Sequence, residues 1–336
     1  MKALGLWIGV ALAAGTTAVA TPRRATAPFL REPEMVGEGI VSTADDEYAG
    51  SLTPDGKTLY FNKSVPTSNQ YTICASRLVD GRWTTPTVAS FSGRYSDTDP
   101  EVSPDGKTLY FASDRPVGGQ VRHDYDIWKT ELQADGSWGP PVHLPAPVNT
   151  DANEYMAAVT ADGTLYVSSM RDGLTTGTVD IYRIPLESGT YQAPTNVSHE
   201  FNDGGQSFAD LDAIVSADDR VMIFSSFARP DSYGSADLYV SYRSNGRWLP
   251  AHHLRAPFNS SARDYSPRFS PDGQYVYFSS ERGLPPVPAA EHLTYAQLLA
   301  RLRGTLNGGG NIYRISRSML DSLADSNSTA GQTLHP

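Results

Sequence analysis

Short apolar runs recur along the chain, and a tight polar turn precedes each of the clearest ones. These runs follow Pro-Asp-Gly or a close relative and consist of Leu-Tyr-Phe, Leu-Tyr-Val or Val-Tyr-Phe. Pro and Gly preset the dihedral angles that a tight turn needs, and β-branched and aromatic residues favour strands. The pattern therefore predicts many short strands joined by tight turns.

This unit occurs five times at a nearly constant spacing. The turn aspartates are Asp55, Asp105, Asp162, Asp218 and Asp272, which are separated by 50, 57, 56 and 54 residues. After the turn come three further strand-like segments, of which the second carries Asp-Ile-Trp, Asp-Ile-Tyr or a relative in four units. Four short strands repeated at this period predict an all-β fold, a five-bladed β-propeller, with six blades as the less favoured alternative.

The last unit predicts how the ring closes. After Asn311-Ile-Tyr the chain reaches no fourth strand, whereas residues 34–42 precede the first unit at the place where a fourth strand would stand. An N-terminal strand is therefore expected to complete the last blade, which would leave no free sheet edge. Residues 283–310 interrupt that blade with a proline-rich segment, a predicted helix at 294–303 and a glycine run. We expect this insertion to lie beside the channel mouth.

The two ends of the chain differ from the repeats. Residues 1–20 combine Lys2, an apolar stretch and an Ala-Val-Ala site, which together predict a signal peptide cleaved after Ala20 and a periplasmic or secreted protein without a membrane anchor. Residues 21–32 form an extension, 33–318 the propeller, and 319–336 a polar tail. The single cysteine, Cys74, excludes an intrachain disulfide. A net charge of −10 argues against nucleic acid as a partner.

The repeats resemble the TolB-type, WD-repeat-like β-propeller family of exported bacterial proteins. The resemblance rests on Ser103-Pro-Asp-Gly-Lys-Thr-Leu-Tyr-Phe and its copies, on Ser-x-Arg after the second strand, and on Asp-Ile-Tyr. It implies a propeller that either binds partners or serves as half of a peptidase or lyase. The sequence shows neither the N-terminal α/β domain of TolB nor a hydrolase domain, so neither role is carried over.

Alignment of the five units on their turn aspartates places an acidic residue eight positions before each turn. These residues are Glu47, Asp97, Glu154, Asp210 and Asp264. One hypothesis is a ring of carboxylates that binds Ca²⁺, a cation that prefers oxygen ligands. The favoured interpretation is structural: Arg115 and its equivalents in three other units would pair with the carboxylate of a neighbouring blade, and the first unit, with Val65 instead, would leave its carboxylate unpaired.

Positions that break the repeat are better candidates for function. Asp99 and Asp212 stand six residues before their turns, and Glu101 and Arg268 stand four before theirs. Alternation along a strand would project Asp97, Asp99 and Glu101 to one side. Carboxylates gathered at a channel could serve as acid and base in glycan cleavage. Alternatively, Asp99 and Glu101 could pair with Arg268 or simply be solvated.

Three tyrosines follow ring carboxylates directly, namely Tyr48, Tyr155 and Tyr265. They could stack on a peptide or a glycan, or pack between blades. Together with Arg268 they form the predicted ligand site. The sequence thus favours an exported, non-catalytic propeller that binds a protein, peptide or envelope glycan and requires no cofactor. The alternative is a glycan-cleaving hydrolase or lyase that uses Asp99, Glu101 and Asp212.

Overall fold

The structure is a computed structural model that describes residues 27–320 except 66, 67, 69, 122, 123, 172–178, 203–207, 289 and 290. The predicted signal peptide and nearly all of the predicted tail therefore lie outside the described residues. No helix among the residues described is long and apolar enough to cross a membrane.

Five antiparallel sheets form the predicted five-bladed propeller. The chain enters with β1 (Glu34–Met35). The first blade contains β2 (Asp46–Leu52), β3 (Thr58–Val65), β4 (Gln70–Val79), β5 (Arg82–Trp83) and β6 (Thr87–Val88). The second contains β7 (Asp97–Val102), β8 (Thr108–Ser113), β9 (Asp126–Glu131) and β10 (Val142–His143).

The third blade contains β11 (Glu154–Val159), β12 (Leu165–Ser169), β13 (Asp180–Ile184) and β16 (Thr195–Asn196), with a small hairpin of β14 (Leu186–Glu187) and β15 (Thr190–Tyr191). A short helix, α1 (Ser198–Phe201), leads to the fourth blade. That blade contains β17 (Ala209–Val215), β18 (Val221–Phe227), β19 (Ala236–Ser244), β20 (Arg247–Trp248) and β21 (His252–His253).

The last blade is completed from the other end of the chain, as the sequence predicts. Its strands are β22 (Asp264–Phe269), β23 (Tyr275–Ser280) and β24 (Asn311–Ser316), and β1 pairs with the outer side of β24. The insertion between β23 and β24 carries α2 (Tyr295–Arg303). Thr294 and Gln297 close a capping box at the start of α2, so this helix begins where its sequence indicates.

The core lies between the blades, where each sheet packs its apolar side chains against the next. The largest fully buried side chains come from the middle strands, among them Phe61, Phe111, Tyr166, Phe224 and Phe278. These are the aromatic positions of the repeated Leu-Tyr-Phe string. Because both faces of each blade are covered, the runs are apolar on both sides, as in other buried sheets.

Every inner strand contains a bulge near its start. The register with the second strand shifts by one residue in all five blades. A residue with left-handed backbone stands at each bulge: Ala49, Asp99, Met156, Asp212 and Ser266, with φ of 54°, 55°, 28°, 56° and 46°. A bulge reverses which face the following side chains take. The inner strands therefore change face where they line the channel.

Candidate functional site

A cavity of about 630 Å³ opens at one mouth of the channel. Its walls come from the starts of inner strands, the ends of second strands, the starts of third strands and the returning limb of the insertion. Among its lining residues are Asp46, Tyr48, Tyr71, Asp99, Tyr125, Tyr155, Asp212, Arg263, Tyr265, Ser266, Glu281 and the glycines 308–310. We call this space the mouth cavity.

The structure brings the three sequence-predicted tyrosines, Tyr48, Tyr155 and Tyr265, to the mouth cavity and adds Tyr71 and Tyr125. Ring centroids lie 6.0 Å apart for Tyr48 and Tyr265, 6.1 Å apart for Tyr48 and Tyr71, and 5.6 Å apart for Tyr125 and Tyr155. Burial is the main cause that raises the pKa of Tyr155 to about 12, and it raises the pKa of Tyr48 and Tyr265 well above the usual value. All three side chains therefore stay protonated at neutral pH.

Tyr71 and Tyr125 are the functional candidates that sequence reasoning missed. Each stands at the start of a third strand, and Tyr125 directly precedes the Asp126 of the repeated Asp-Ile-aromatic string. The sequence signal that could have identified them is a tyrosine directly before the Asp-Ile-aromatic string or its equivalent. Because third strands begin at the mouth face, a tyrosine there meets the tyrosines of the inner strands.

Asp99 and Asp212 lie in the mouth cavity, on the inner strands of the second and fourth blades. Both are buried, with 6% and 5% of their surfaces exposed. Asp212 accepts hydrogen bonds from Ser266 Oγ at 3.1 Å and Ser225 Oγ at 3.4 Å. Burial, and next the negative charge of Asp212, raise the pKa of Asp99 to about 7. Near neutral pH the Asp99 carboxyl can therefore hold or release a proton.

Glu101 and Arg268 do not open onto the mouth cavity. Arg268 Nε lies 2.8 Å from Glu101 Oε2, and both residues line a second cavity of about 210 Å³ at the turn end of the inner strands. Burial raises the pKa of Glu101 to about 6, although Arg268 acts to lower it. Of the two predicted partners of Arg268, Glu101 forms the ion pair.

The predicted single row of Asp97, Asp99 and Glu101 is wrong because of the bulge at Asp99. Asp97 lies opposite Ser113, whereas Glu101 lies opposite Tyr110 and so takes the other face of the strand. Asp97 consequently points to its arginine, Asp99 to the mouth cavity and Glu101 to the second cavity. Three acids spaced two residues apart thus end in three different surroundings.

The five ring carboxylates each pair with a cation of their own blade, not of the neighbouring blade. The pairs are Glu47–Lys63 at 2.9 Å, Asp97–Arg115 at 2.5 Å, Glu154–Arg171 at 3.6 Å, Asp210–Arg229 at 2.8 Å and Asp264–Arg282 at 2.8 Å. Lys63 thus replaces the arginine missing in the first unit, so the expectation of an unpaired carboxylate there is wrong.

The connection between blades is made through the crossover loop instead. Arg282 also donates to the carbonyl oxygens of Pro257 and Phe258, and Arg115 donates to that of Phe91. These carbonyls belong to the loop that arrives from the preceding blade. The serine of Ser-x-Arg accepts from the arginine Nε, at 2.8 Å for Ser113 and Ser280. In the second and fifth blades the Ser-x-Arg motif therefore anchors the arriving crossover loop to the inner strand.

Burial nevertheless raises the pKa of Asp97 and Glu154, so even a paired carboxylate bears a desolvation cost at this depth. Within the described part of the chain, no group of three or more His, Cys, Asp or Glu side chains lies close enough to hold a metal ion. The Ca²⁺ hypothesis for the ring stays a prediction.

Comparisons with known proteins give the fold. No protein-family model matches the sequence, and no curated protein does. Among solved structures, TolB from Acinetobacter baumannii is similar at 19% identity and a TM-score of 0.44, over 81% of this chain and 54% of that one. A puromycin-hydrolysing peptidase of Mycobacterium tuberculosis is similar at 15% identity and a TM-score of 0.40, over 79% of this chain and 41% of that one.

A thermostable family-43 glycoside hydrolase matches along nearly its whole length. The similarity covers 86% of this chain and 92% of the hydrolase, at 12% identity and a TM-score of 0.50. The chain spans about half the length of TolB and less of the peptidase. At these identities the comparisons establish a β-propeller and nothing about its activity.

Proposed function

We propose that the protein is an exported, non-catalytic propeller that captures an extended segment of a protein, peptide or envelope glycan in the mouth cavity. One observation carries the proposal: five tyrosines from four of the five blades line a single open cavity. Concave sites with aromatic walls and a few convergent polar groups are typical of ligand binding. The proposal requires no cofactor.

The tyrosines suit an extended partner because they supply both apolar area and hydrogen bonds. Aromatic rings cover large surfaces at a low cost in conformational entropy, and protonated hydroxyls both donate and accept. Tyr48 and Tyr125 hold their hydroxyls against Thr98 and Ser96, at 3.1 and 2.8 Å. These two rings are therefore fixed before any partner arrives, which lowers the cost of binding.

The insertion extends the surface that a partner would meet. Its returning limb is fastened to the first blade, since Asn307 Nδ2 donates to the Ala44 carbonyl at 2.9 Å and Gly310 N donates to Asp46 at 2.9 Å. Helix α2 buries none of its residues, and Leu298 and Leu302 are exposed. An apolar helix face beside a tyrosine-lined cavity provides a second contact for the same partner.

The test is a binding screen with two probe sets, an array of peptides and an array of bacterial envelope glycans. Wild type is expected to bind members of one set, and Tyr155→Ala and Tyr71→Ala to lose at least tenfold in affinity because each removes a cavity wall. Tyr233→Ala is the matched control, since Tyr233 is half exposed and does not line the mouth cavity. Equal losses for all three variants, or no binding to either array, would overturn the proposal.

A second candidate function is glycan cleavage by Asp99 and Asp212. The observation that favours it is the pKa of Asp99, raised to about 7 in the cavity that also holds Asp212, because a glycosidase needs one protonated and one ionised carboxyl. Glu101 lines the other cavity and has no part in this version of the mechanism. Release of reducing ends from polysaccharides that Asp99→Asn and Asp212→Asn abolish, without loss of folding, would favour the enzyme over the binding protein.

We further propose that the protein acts in the periplasm or outside the cell, free of a membrane anchor. The support is the sequence of residues 1–20, with its apolar stretch and Ala-Val-Ala site. Mass spectrometry of protein recovered from culture medium and periplasmic extract is expected to find an N-terminus at Thr21. An N-terminus at Met1 in the cytoplasmic fraction alone would refute this location.

A further inference from the structure

The mouth cavity carries far more negative than positive charge. Four carboxylates line it, and Arg263 is the one lysine or arginine among its described lining residues. Arg263 lies 3.7 Å from Glu281 and 4.0 Å above the ring of Tyr265. Asp46 accepts hydrogen bonds from Ser64 Oγ and Gly310 N. The side chains of Glu281 and Asp46 are thus already engaged at the rim.

Asp99 and Asp212 are left without a cation of their own. In the described part of the chain, neither forms an ion pair with lysine, arginine or histidine; Arg268, whose charge acts on Asp99, pairs with Glu101. Buried carboxylates are normally paired or bound to a metal, and the ring carboxylates on these same strands follow that rule. The exception lies where a partner would enter.

Tyr265 adds an independent sign of a missing ligand. Only 4% of this residue is exposed, its side chain lines the mouth cavity, and its hydroxyl has no hydrogen-bond partner among the described residues. A ligand in the cavity would give this hydroxyl a hydrogen-bond partner in place of solvent. The oxygen of the protonated hydroxyl carries lone pairs that can accept a hydrogen bond.

We propose that the mouth cavity binds the ammonium group of a lysine side chain on a partner peptide or protein, between Asp99 and Asp212. The inference rests on the proposed binding function and names the ligand chemistry. An ammonium group has three donors. The cavity offers three acceptor groups, which are the two carboxylates and the Tyr265 hydroxyl. The butyl stem of lysine is slender enough to extend past tyrosine rings towards buried carboxylates, and the faces of those rings attract the cation.

Binding is coupled to protons, because an ammonium stabilises both carboxylates in the charged form. Near neutral pH the free cavity holds a proton that the bound cavity releases. The other charged or titratable groups that line the cavity or face the pair are Arg263, Arg268, Asp46, Glu281 and the five tyrosines. Burial also raises the pKa of Glu281, which lies beside Arg263 at the rim, whereas the pKa of Asp99 is about 7, so the released proton is assigned to Asp99.

The test compares three short acetylated peptide amides that differ at one position: lysine, norleucine or arginine. Calorimetry in phosphate and in Tris, two buffers with different heats of ionisation, measures affinity and proton release together. We expect the lysine peptide to bind at least tenfold more tightly than the norleucine peptide at pH 7 and to release protons. The same affinity for lysine and norleucine, no binding of the lysine peptide, or tighter binding of arginine would overturn the proposal.

Variants separate the pair from general electrostatics. Asp99→Asn/Asp212→Asn is expected to remove the preference for lysine and to leave norleucine affinity unchanged. Asp45→Asn is the control for general electrostatics, because it removes one carboxylate from the neighbouring rim, where Asp45 is exposed and paired with Lys63 at 2.8 Å. Tyr265→Phe, which removes only the hydroxyl, is expected to weaken lysine binding severalfold. If Asp45→Asn matched the double variant, the assignment to the pair would fail.

A comparison of two sugars shows whether the ammonium comes from a peptide or from an amino sugar. It also tests this inference separately from the proposed function. Glucosamine and glucose form a matched pair that differs by one ammonium. Binding of glucosamine without binding of the lysine peptide would overturn the peptide assignment in favour of an amino sugar. Binding of uncharged ligands that still depends on Tyr155 would overturn the ammonium inference and leave the binding function standing.

Discussion

Two sets of carboxylates lie two residues apart on the inner strands of the second and fourth blades, and their surroundings are opposite. The ring set repeats in every blade, and each member has a cation, most often with a hydroxyl and a crossover loop. The mouth set, Asp99 and Asp212, occurs in two blades only and faces a cavity and another carboxylate. The bulge between the two sets produces the difference, since it turns the second acid away from the arginine.

The difference teaches how a repeat can carry both stability and function. What is present in every blade connects blade to blade through the crossover loops. The acids that depart from the repeat, Asp99 and Asp212, bear a desolvation cost that no ion pair in the fold offsets. The proposed ligand would supply the positive charge that the fold does not place beside Asp99 and Asp212.

The largest expected effect comes from breaking a ring pair. Arg115→Met is expected to reduce the free energy of unfolding by about 3 kcal/mol, because it leaves the buried charge of Asp97 without its cation. Urea unfolding followed by tryptophan fluorescence measures it. Adding Asp97→Asn to Arg115→Met is expected to recover at least half of the loss. Lys63→Met in the first blade is the milder control, at about 1 kcal/mol, since Lys63 is 28% exposed. Equal losses in both blades would contradict the anchoring role.

The second prediction concerns Asp99 of the mouth set, whose replacement is expected to stabilise the protein instead of destabilising it. The pKa of Asp99 is about 7 in the fold, against an ordinary value of 3.8. Between pH 4 and 7 the unfolded chain loses this proton while the folded protein keeps it, so wild type loses stability as pH rises. Asp99→Asn is therefore expected to be more stable than wild type at pH 8, on the order of 2 kcal/mol, and equal to it at pH 4. Urea unfolding at both pH values tests this; a variant less stable at pH 8 would show that the fold does use the charge.

The repeat made the ring set predictable. Five acids in register, four of them followed by an arginine 17 to 19 residues later, indicate structural pairing from the sequence alone. The same logic predicted the closure by β1, because a unit without a fourth strand must find one. The pairing partner was misassigned to the neighbouring blade because sequence spacing does not show which way the arginine turns; Ser113, which accepts from Arg115 Nε, holds it within its own blade.

The bulge was not predictable, and the errors at the mouth follow from it. Left-handed backbone is usually signalled by glycine, but the bulged positions hold Ala49, Asp99, Met156, Asp212 and Ser266. Strict alternation therefore grouped Asp97, Asp99 and Glu101, and put Arg268 with the ligand residues. The structure moves Glu101 and Arg268 to the second cavity. A tertiary constraint shared by all five blades, and absent from any local propensity, decides where these side chains point.

The third prediction compares one serine from each set. Ser169 Oγ donates to Glu154 at 2.6 Å and accepts from Arg171 at 2.9 Å, whereas Ser266 Oγ donates to Asp212 at 3.1 Å. Ser169→Ala is expected to cost about 1 to 2 kcal/mol of stability, since it removes two hydrogen bonds to charged groups. Ser266→Ala is expected to cost less than half of that. Thermal unfolding of both variants gives the comparison, and a larger loss for Ser266→Ala would mean that the mouth set supports the fold after all.

The smallest expected effect is that of calcium on the ring. Each ring carboxylate already has a cation within 3.6 Å, so a Ca²⁺ ion would have to displace Lys63 or an arginine to gain its oxygen ligands. A ligand that binds only the folded state raises the unfolding temperature. We therefore expect no shift between millimolar Ca²⁺ and chelator in wild type, and the same in Asp97→Asn. An upward shift that Asp97→Asn removes would show that the ring carboxylates bind a cation in spite of their ion pairs. The two sets of carboxylates would then differ in whether a cation occupies them, and not in their surroundings.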